Sequence, residues 1–386
     1  MKKFFKSLTI LLSISPLLLG CQKNNDSPIT PTPDTPSEDE KEYNINPLYP
    51  LNKEVVSLAS DDITEMVNNY SFAASASYVT TYDHYASKEV TISWENKEEA
   101  LYYLVELSTN NLLNPSTTYV TNVEHIELDD LKPGYTYYWR VNAYYSEKII
   151  RSQVFSFETL SIPKSIYMET VGNFRDMGGL KTSLNKRIKS GMVYRGANPD
   201  GASETDKDYL LNTLKIKTEL DLRNAGEGKC GLNVLGFPNY LTADNNGGFY
   251  YDNYPNGIGY KTGRDVLAKE IKYFANRDNY PIYYHCAIGR DRTGSLALVL
   301  NSLLGVSKKD IGIDYEISMF AMVSTSDVHG GELVDDLVDQ VYFIYNYIYS
   351  GYIGKNMQEK TEAFLLDIGV TAQEINNIKD ILLEDF

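Results

Sequence analysis

Ten residues, His285-Cys286-Ala287-Ile288-Gly289-Arg290-Asp291-Arg292-Thr293-Gly294, restrict the fold of this chain more than any other feature. An apolar run, Pro281-Ile282-Tyr283-Tyr284, leads into them, and a helix-like pattern from Thr293 to Leu304 follows. A buried strand therefore runs into a cysteine, then five residues, an arginine and a helix. Five residues can curl into a cup whose backbone N–H groups all face inward, and the helix behind adds its positive end. Gly289 permits a backbone angle denied to other residues. Arg292 offers a planar fork that matches two oxygens of a phosphate.

In such a cup Ala287, Ile288, Gly289, Arg290, Asp291 and Arg292 surround the anion, and Cys286 lies at the bottom. A thiol facing several N–H dipoles is favoured as thiolate. Beside a bound phosphate it is placed for in-line attack, giving a cysteinyl-phosphate. The amides and Arg292 then stabilise charge on the equatorial oxygens. A buried, inert cysteine at a strand end does not require glycine, arginine and Thr-Gly at these spacings. Sulfurtransferases also place a cysteine in a cup of amides, but they do not need the terminal Arg-Thr-Gly.

The surroundings alternate between strand-like and helix-like segments from about 165 onward. Thr218-Glu219-Leu220-Asp221-Leu222 and Pro281-Ile282-Tyr283-Tyr284-His285 read as short strands. Helices are expected over Arg264 to Ala275, Thr293 to Leu304, Asp310 to Met322, Leu333 to Ile348, Asn356 to Asp367 and Ala372 to Leu383. Ser307-x-x-Asp310 and Thr371-x-x-Glu374 resemble helix starts with capping boxes. This alternation predicts an α/β domain over 165–386, a mostly parallel sheet flanked by helices.

A chain of 386 residues is long enough for a second domain. Over 48–161 the pattern is that of short strands with period-two alternation: Val90 to Trp94, Tyr103 to Leu107, Tyr137 to Tyr144 and Gln153 to Phe157. Leu131-Lys132-Pro133-Gly134-Tyr135-Thr136-Tyr137 resembles the fibronectin type III signature, in which a Leu–Pro–Gly turn precedes a Tyr whose hydroxyl returns to the backbone. Trp94 sits where that family places its core tryptophan. The expected fold is a small all-β sandwich serving as a spacer or interaction module. His84 and His125 are isolated, and a carbohydrate-binding face is weakly indicated, because tyrosine is abundant along the whole chain, with 32 residues.

The N-terminus reads as an address. Lys2, Lys3 and Lys6 precede an apolar stretch from Leu8 to Leu19, too short to span a bilayer and suited to a signal peptide. It ends in Leu18-Leu19-Gly20-Cys21, which resembles the bacterial lipobox, with cleavage after 1–20 and lipid on Cys21. Residues 21–47 hold Pro28, Pro31, Pro33 and Pro36 among polar residues and read as an extended tether. The expectation is export and a lipid anchor in a bacterial membrane, facing the periplasm or the cell surface. A net charge of −16 makes the chain a poor general binder of nucleic acid or anionic membrane, so any anion site must be local.

The Cys286 loop also looks like the Cys-x5-Arg signature of protein tyrosine phosphatases. Asn173-Phe174-Arg175-Asp176-Met177-Gly178-Gly179, Tyr194-Arg195-Gly196 and Asp221-Leu222-Arg223 resemble the bacterial tyrosine/serine phosphatase family, atypical dual-specificity enzymes that include phosphoinositide phosphatases. Many members carry Lys where this chain has Arg290. The resemblance implies hydrolysis of a phosphoric monoester, on phosphotyrosine protein or on an inositol phosphate, without metal or cofactor. It also implies that Arg175 and Asp176 brace the loop and that Thr293 assists the thiolate or the second step. His285 is expected to order the loop, with its side chain turned away from the nucleophile, and Gly178-Gly179 to form a turn.

A general acid is needed to protonate the leaving oxygen. Such phosphatases supply it as an Asp from a loop between the Asp221 strand and Cys286. The candidates are Asp252, in a Gly-rich aromatic stretch, then Asp244 and Asp265, with Asp291 inside the cup itself. Cys230 is a candidate partner for a reversible disulfide with Cys286. Lys181, Lys186, Arg187, Lys189 and Arg195 are candidates to line a polyanion pocket. The rival outside enzymology is a phospho-ligand-binding surface lipoprotein without turnover.

Overall fold

A computed structural model describes residues 45–71, 87–243, 247–251, 256–321 and 332–385. The leader, Cys21, nearly all of the tether, His84, Asp244 and Asp252 lie outside the described residues. Among the described residues no helix is long and apolar enough to cross a membrane. The chain divides into two compact units: a smaller one up to Val55 with Thr91–Leu128 and Thr136–Glu158, and a larger one of Val56–Val90, Asp129–Tyr135 and everything from Thr159.

This division departs from the 48–161 boundary read from sequence, and the reasons are physical. The helix Asp61–Asn68, capped by Ser60, packs Ile63, Met66 and Val67 on Ile162, Ile313, Ile317 and Phe320. The Leu131 to Tyr135 turn is likewise tied down: the Arg187 guanidinium lies 3.3 Å from the centre of the Tyr135 ring, and the Tyr135 hydroxyl meets the Glu384 carboxylate.

The smaller unit is antiparallel. One sheet orders Ile45–Tyr49, Val90–Asn96 and His125–Leu128. The other orders Glu54–Val56, Phe155–Thr159, Thr136–Tyr144, Tyr102–Ser108 and Thr117–Thr121, with Ile149–Arg151 beside Thr136–Tyr144. Alternate residues are buried, Ile92 and Trp94 on one sheet, Val105, Trp139, Val141, Phe155 and Phe157 on the other, as period-two strands require. Thr117–Thr121 was not legible in sequence because it is an edge strand with no buried residue.

The larger unit centres on a six-stranded sheet in the order Lys164–Ser165, Arg175–Asp176, Val193–Gly196, Ile282–His285, Thr218–Asp221, Asn239–Thr242. The last four are mutually parallel and the first two antiparallel. Ile282 and Tyr284 join one core with the helices Lys261–Phe274, Asp291–Leu303, Met357–Asp367 and Ala372–Leu382. Tyr283 joins a second core with Phe174, Tyr194, Leu210 and Phe237. Both faces are covered, which is why this strand reads as a continuous apolar run. Ile282–His285 is central, so Cys286 emerges at the carboxyl ends of the parallel strands, where ligand sites of open α/β sheets lie.

The expected helices are present with ends moved by a few residues; Lys308–Ile317 ends at Ile317 rather than Met322. Thr371 and Glu374 form the capping box. Ser307 caps its helix through the Asp310 amide, but Asp310 bonds the Ser307 hydroxyl instead of reaching back to its amide. An aspartate is one methylene shorter than the glutamate the box uses.

If this burial pattern is right, Phe274→Ala, at a fully buried site against Tyr284, lowers the unfolding free energy by about 3–5 kcal/mol in urea. The same change at exposed Phe343 stays within about 1 kcal/mol. Equal costs at the two positions contradict the assignment of core and surface.

Candidate active site

The loop after Ile282–His285 is shaped from outside, through its carbonyl groups. Cys286 O lies 3.0 Å from His285 Nδ1. Ala287 O accepts from the Asn198 side chain at 2.8 Å and from its amide at 3.1 Å. Ile288 O accepts from Asn173 Nδ2 at 3.1 Å, and Gly289 O from an Arg195 amino group at 3.0 Å. Arg290 O accepts from the Gly294 amide in the first turn of Asp291–Leu303. Five successive carbonyls are therefore drawn to the surrounding protein, and a peptide N–H points opposite its C=O. Among the described residues the amides of Ala287, Ile288, Gly289 and Arg290 donate to nothing. Gly289 has φ +75°, and a side chain there would lie 2.3 Å from the Gly196 carbonyl, so only glycine fits.

Strand alternation separates the neighbours of this turn. Tyr284 and Cys286 belong to one face; Tyr283 and His285 lie on the other, their rings tilted against each other at 5.3 Å. His285 is fully buried, its Nε2 on Glu219 Oε1 at 2.9 Å. It holds the loop and is turned away from the sulfur, as its sequence position suggested.

Behind the loop sits a buried ion network that only its arginines announced in sequence. Asp314 takes Arg175 Nε at 2.9 Å and an Arg195 amino group at 2.7 Å, all three nearly inaccessible. Arg175 also holds Asn173 Oδ1 at 2.5 Å. Arg175 thus braces the loop through Asn173, and Arg195 does so directly. Burial works to raise the Asp314 carboxyl, but the two arginines prevail and hold it below the usual carboxylate range. Asp176, expected to brace the loop, faces elsewhere: it accepts from the amides of Gly178 and Gly191, and burial pushes its carboxyl up to about 6. Its role is to close the Gly178-Gly179 turn.

Arg292 is held by its outer edge. Its amino groups meet both Glu227 oxygens, at 3.1 and 2.8 Å, and Leu222 O at 3.3 Å. Its Nε is buried without a partner among the described residues. Burial works to lower this guanidinium's pKa, yet Glu227 and Cys286 raise it, so it stays charged. A buried donor with no partner is costly, and an oxyanion in the cup would satisfy it. Glu227 was missed in sequence; its position four residues after Arg223 was the available signal.

Glu219, Asp221 and His285 lie close enough to hold a cation, and all are buried. Their surroundings already supply one. Arg223 bonds both Asp221 oxygens and bridges to Asp200, and the Asp221 carboxyl, which burial alone would raise, is held down at about 2. A guanidinium in that place leaves little reason for a metal.

The remaining candidates separate. Asp291 Oδ1 pairs with Arg290 Nε at 3.0 Å at the rim of the loop. Thr293 is fully buried, its hydroxyl without a partner among the described residues. Asp265 is corrected: it pairs with Lys261 one turn away, on the exposed side of Lys261–Phe274. Of the five residues read as a polyanion lining, Lys181 is exposed and the other four are engaged elsewhere. Arg195 is inside the ion network, while Lys186, Arg187 and Lys189 meet Asp385, Glu384 and the carbonyls of Asp380 and Ile381. Cys230 hydrogen-bonds Arg223 O at 3.4 Å, and burial, then Asp221, push its thiol up to about 11, which disfavours it as an attacking thiolate.

Two outcomes follow. Asp314→Asn leaves two buried arginines short of charge and costs about 3–5 kcal/mol in urea unfolding at pH 7. Because its carboxyl is depressed in the fold, the Asp314 contribution is present above about pH 4 and lost as the pH falls further. A variant as stable as wild type contradicts the network. Glu227→Gln frees the outer edge of Arg292 and weakens vanadate inhibition about tenfold or more; unchanged inhibition contradicts the clamp.

A family model described as "Tyrosine phosphatase family" matches residues 166–384, more than half of the chain. A Cupriavidus necator protein named "Putative tyrosine-protein phosphatase" is 28% identical over 168 residues, which are 38% of this chain and 60% of that protein. This chain therefore spans less than two thirds of that relative. The core catalytic domain of the PP-IP phosphatase SIW14 from S. cerevisiae, solved with citrate, is 22% identical, with a TM-score of 0.28 over 39% of this chain and 78% of that one. By the match across residues 166–384, which contain the whole cup and its bracing, the chain belongs to the tyrosine phosphatase family.

Proposed function

We propose that this protein hydrolyses phosphoric monoesters through a cysteinyl-phosphate intermediate, acting on phosphotyrosine or as a dual-specificity protein phosphatase. The observation that carries this reading is the set of outward-held carbonyls around Cys286, with Arg292 Nε left unpartnered among the described residues. In the first step the Cys286 thiolate attacks phosphorus, an S–P bond forms and the P–O ester bond breaks. The leaving oxygen takes a proton from an aspartic acid. In the second step water attacks phosphorus, its proton passes to that aspartate, and the S–P bond breaks to regenerate the thiolate. The loop amides and Arg292 carry the equatorial charge in both steps.

For the acid we keep Asp252, which directly follows Tyr251 in sequence. Support is local. The Gly248 amide and Arg292 share Leu222 O, at 2.8 and 3.3 Å, so this segment borders the loop; burial first, and then the Asp291 charge, raise the pKa of both Tyr250 and Tyr251. Asp244 is the alternative, and Asp291, paired with Arg290, the third. A polyanionic inositol phosphate is disfavoured, because Arg195, Lys186, Arg187 and Lys189 are engaged elsewhere.

We further propose that Cys21 carries lipid and that the small β unit is a fibronectin III-like spacer on an exported protein. Cys21→Ser should move the protein from the membrane to the soluble fraction; retention in the membrane refutes the anchor.

The enzymatic test is phosphate release from an aryl phosphate. Wild type turns over, and Cys286→Ser loses at least about 10³-fold in kcat. Turnover surviving in that variant removes Cys286 from the mechanism, and none by wild type favours a binder. Phosphotyrosine peptide should exceed inositol hexakisphosphate in kcat/KM by about tenfold or more; the reverse order overturns the substrate class.

A further inference from the structure

One buried acid has no part in this chemistry. Glu270, on Lys261–Phe274, is fully buried; its Oε1 accepts the Phe249 amide at 2.9 Å, and its Oε2 has no partner among the described residues. The neighbouring Gly248 amide donates to Leu222 O at 2.8 Å, the same oxygen that accepts from Arg292 at 3.3 Å. A side chain on Gly248 would come within 2.9 Å of Glu270 Oε1 and 2.8 Å of Leu222 Cβ. The backbone at Gly248 and Phe249 is thus pinched between the Glu270 carboxyl on one side and the residue beside the Arg292 clamp on the other. Tyr250 and Tyr251, which border the phosphate loop, come next.

We propose that Glu270 is a positioning residue, a buried latch that fixes the Gly247 to Tyr251 segment against the phosphate loop by accepting the Phe249 amide. The proposal deepens the phosphatase reading and rests on it only for the catalytic readout. Charged groups near Glu270 are Lys269 on its own helix, which donates to Ala243 O, and Arg292 across the packed interface. The segment itself contributes only the phenols of Tyr250 and Tyr251. Burial prevails over these and over the Phe249 hydrogen bond, and pushes the Glu270 carboxyl up to about 8. A neutral carboxyl therefore holds the latch at pH 7. Ionising the buried acid draws water to it, so the latch weakens as the pH rises through about 8.

Two readouts separate a latch from a merely structural acid. The first is hydrogen exchange of the peptide spanning 247–251, which needs no catalysis. Glu270→Ala should exchange there about tenfold faster than wild type at pH 7, and Glu270→Gln, which keeps a neutral acceptor, should restore protection. The second is the pH profile of kcat/KM on an aryl phosphate, with Cys286→Ser as the blank. Beside the fall set by the protonated aspartic acid, which both proteins share, wild type should show a further fall above about pH 8 that Glu270→Gln lacks. Equal exchange in wild type and Glu270→Ala, or the same further fall above pH 8 in Glu270→Gln, overturns the proposal. Absence of turnover in wild type refutes the phosphatase reading instead, and exchange still decides the latch.

Discussion

Everything chemical in this molecule depends on where five peptide carbonyls go. A short loop contains as many acceptors as donors, and left alone it would satisfy some of its amides internally. Here Asn198, Asn173, Arg195 and His285 take the oxygens of residues 286 to 289, and the following helix takes the fifth. The donors are left to face the cup. Positive potential is built from backbone amides and Arg292, and the net charge of −16 over the whole chain does not cancel it, because the cup is local.

The costs of this arrangement are distributed through the larger unit. Two arginines are buried to reach the loop and its bracing asparagine, and a single carboxylate, Asp314, compensates both. Arg292 is fixed by Glu227 on one edge, and its Nε is unpartnered among the described residues. A second arginine, Arg223, locks the adjacent strand end through Asp221 and Asp200. These ion pairs do little for stability by themselves when compared with apolar packing. Their value is registry: they hold the loop in a shape that a hydrophobic core has no means to specify.

Much of this was legible in the sequence because it is local. Strand, cysteine, glycine and arginine follow one another within a dozen residues, and alternation along Ile282–His285 already turned His285 away from Cys286. The six helices from Lys261 onward were found to within about five residues for the same reason, whereas Asp61–Asn68 and Glu204–Asp208 were not read. What sequence missed is long-range. Asp314 stands 139 residues from Arg175, Asn198 and Glu227 have ordinary loop surroundings, and Glu270 looks like any polar residue on an amphipathic helix until its burial is known. Charged residues read as a pocket lining, such as Lys186 and Arg187, were consumed by the C-terminal segment. The packing of Asp61–Asn68 was missed likewise, since nothing local says that it meets Ile313 and Phe320.

The central claim is tested most directly by a crystal structure of the protein soaked with orthovanadate. The account predicts vanadium bonded to Cys286 Sγ, its equatorial oxygens on the amides of residues 287–292 and on Arg292 Nε. Vanadate absent from the loop, or a loop whose carbonyls face the anion, would contradict it.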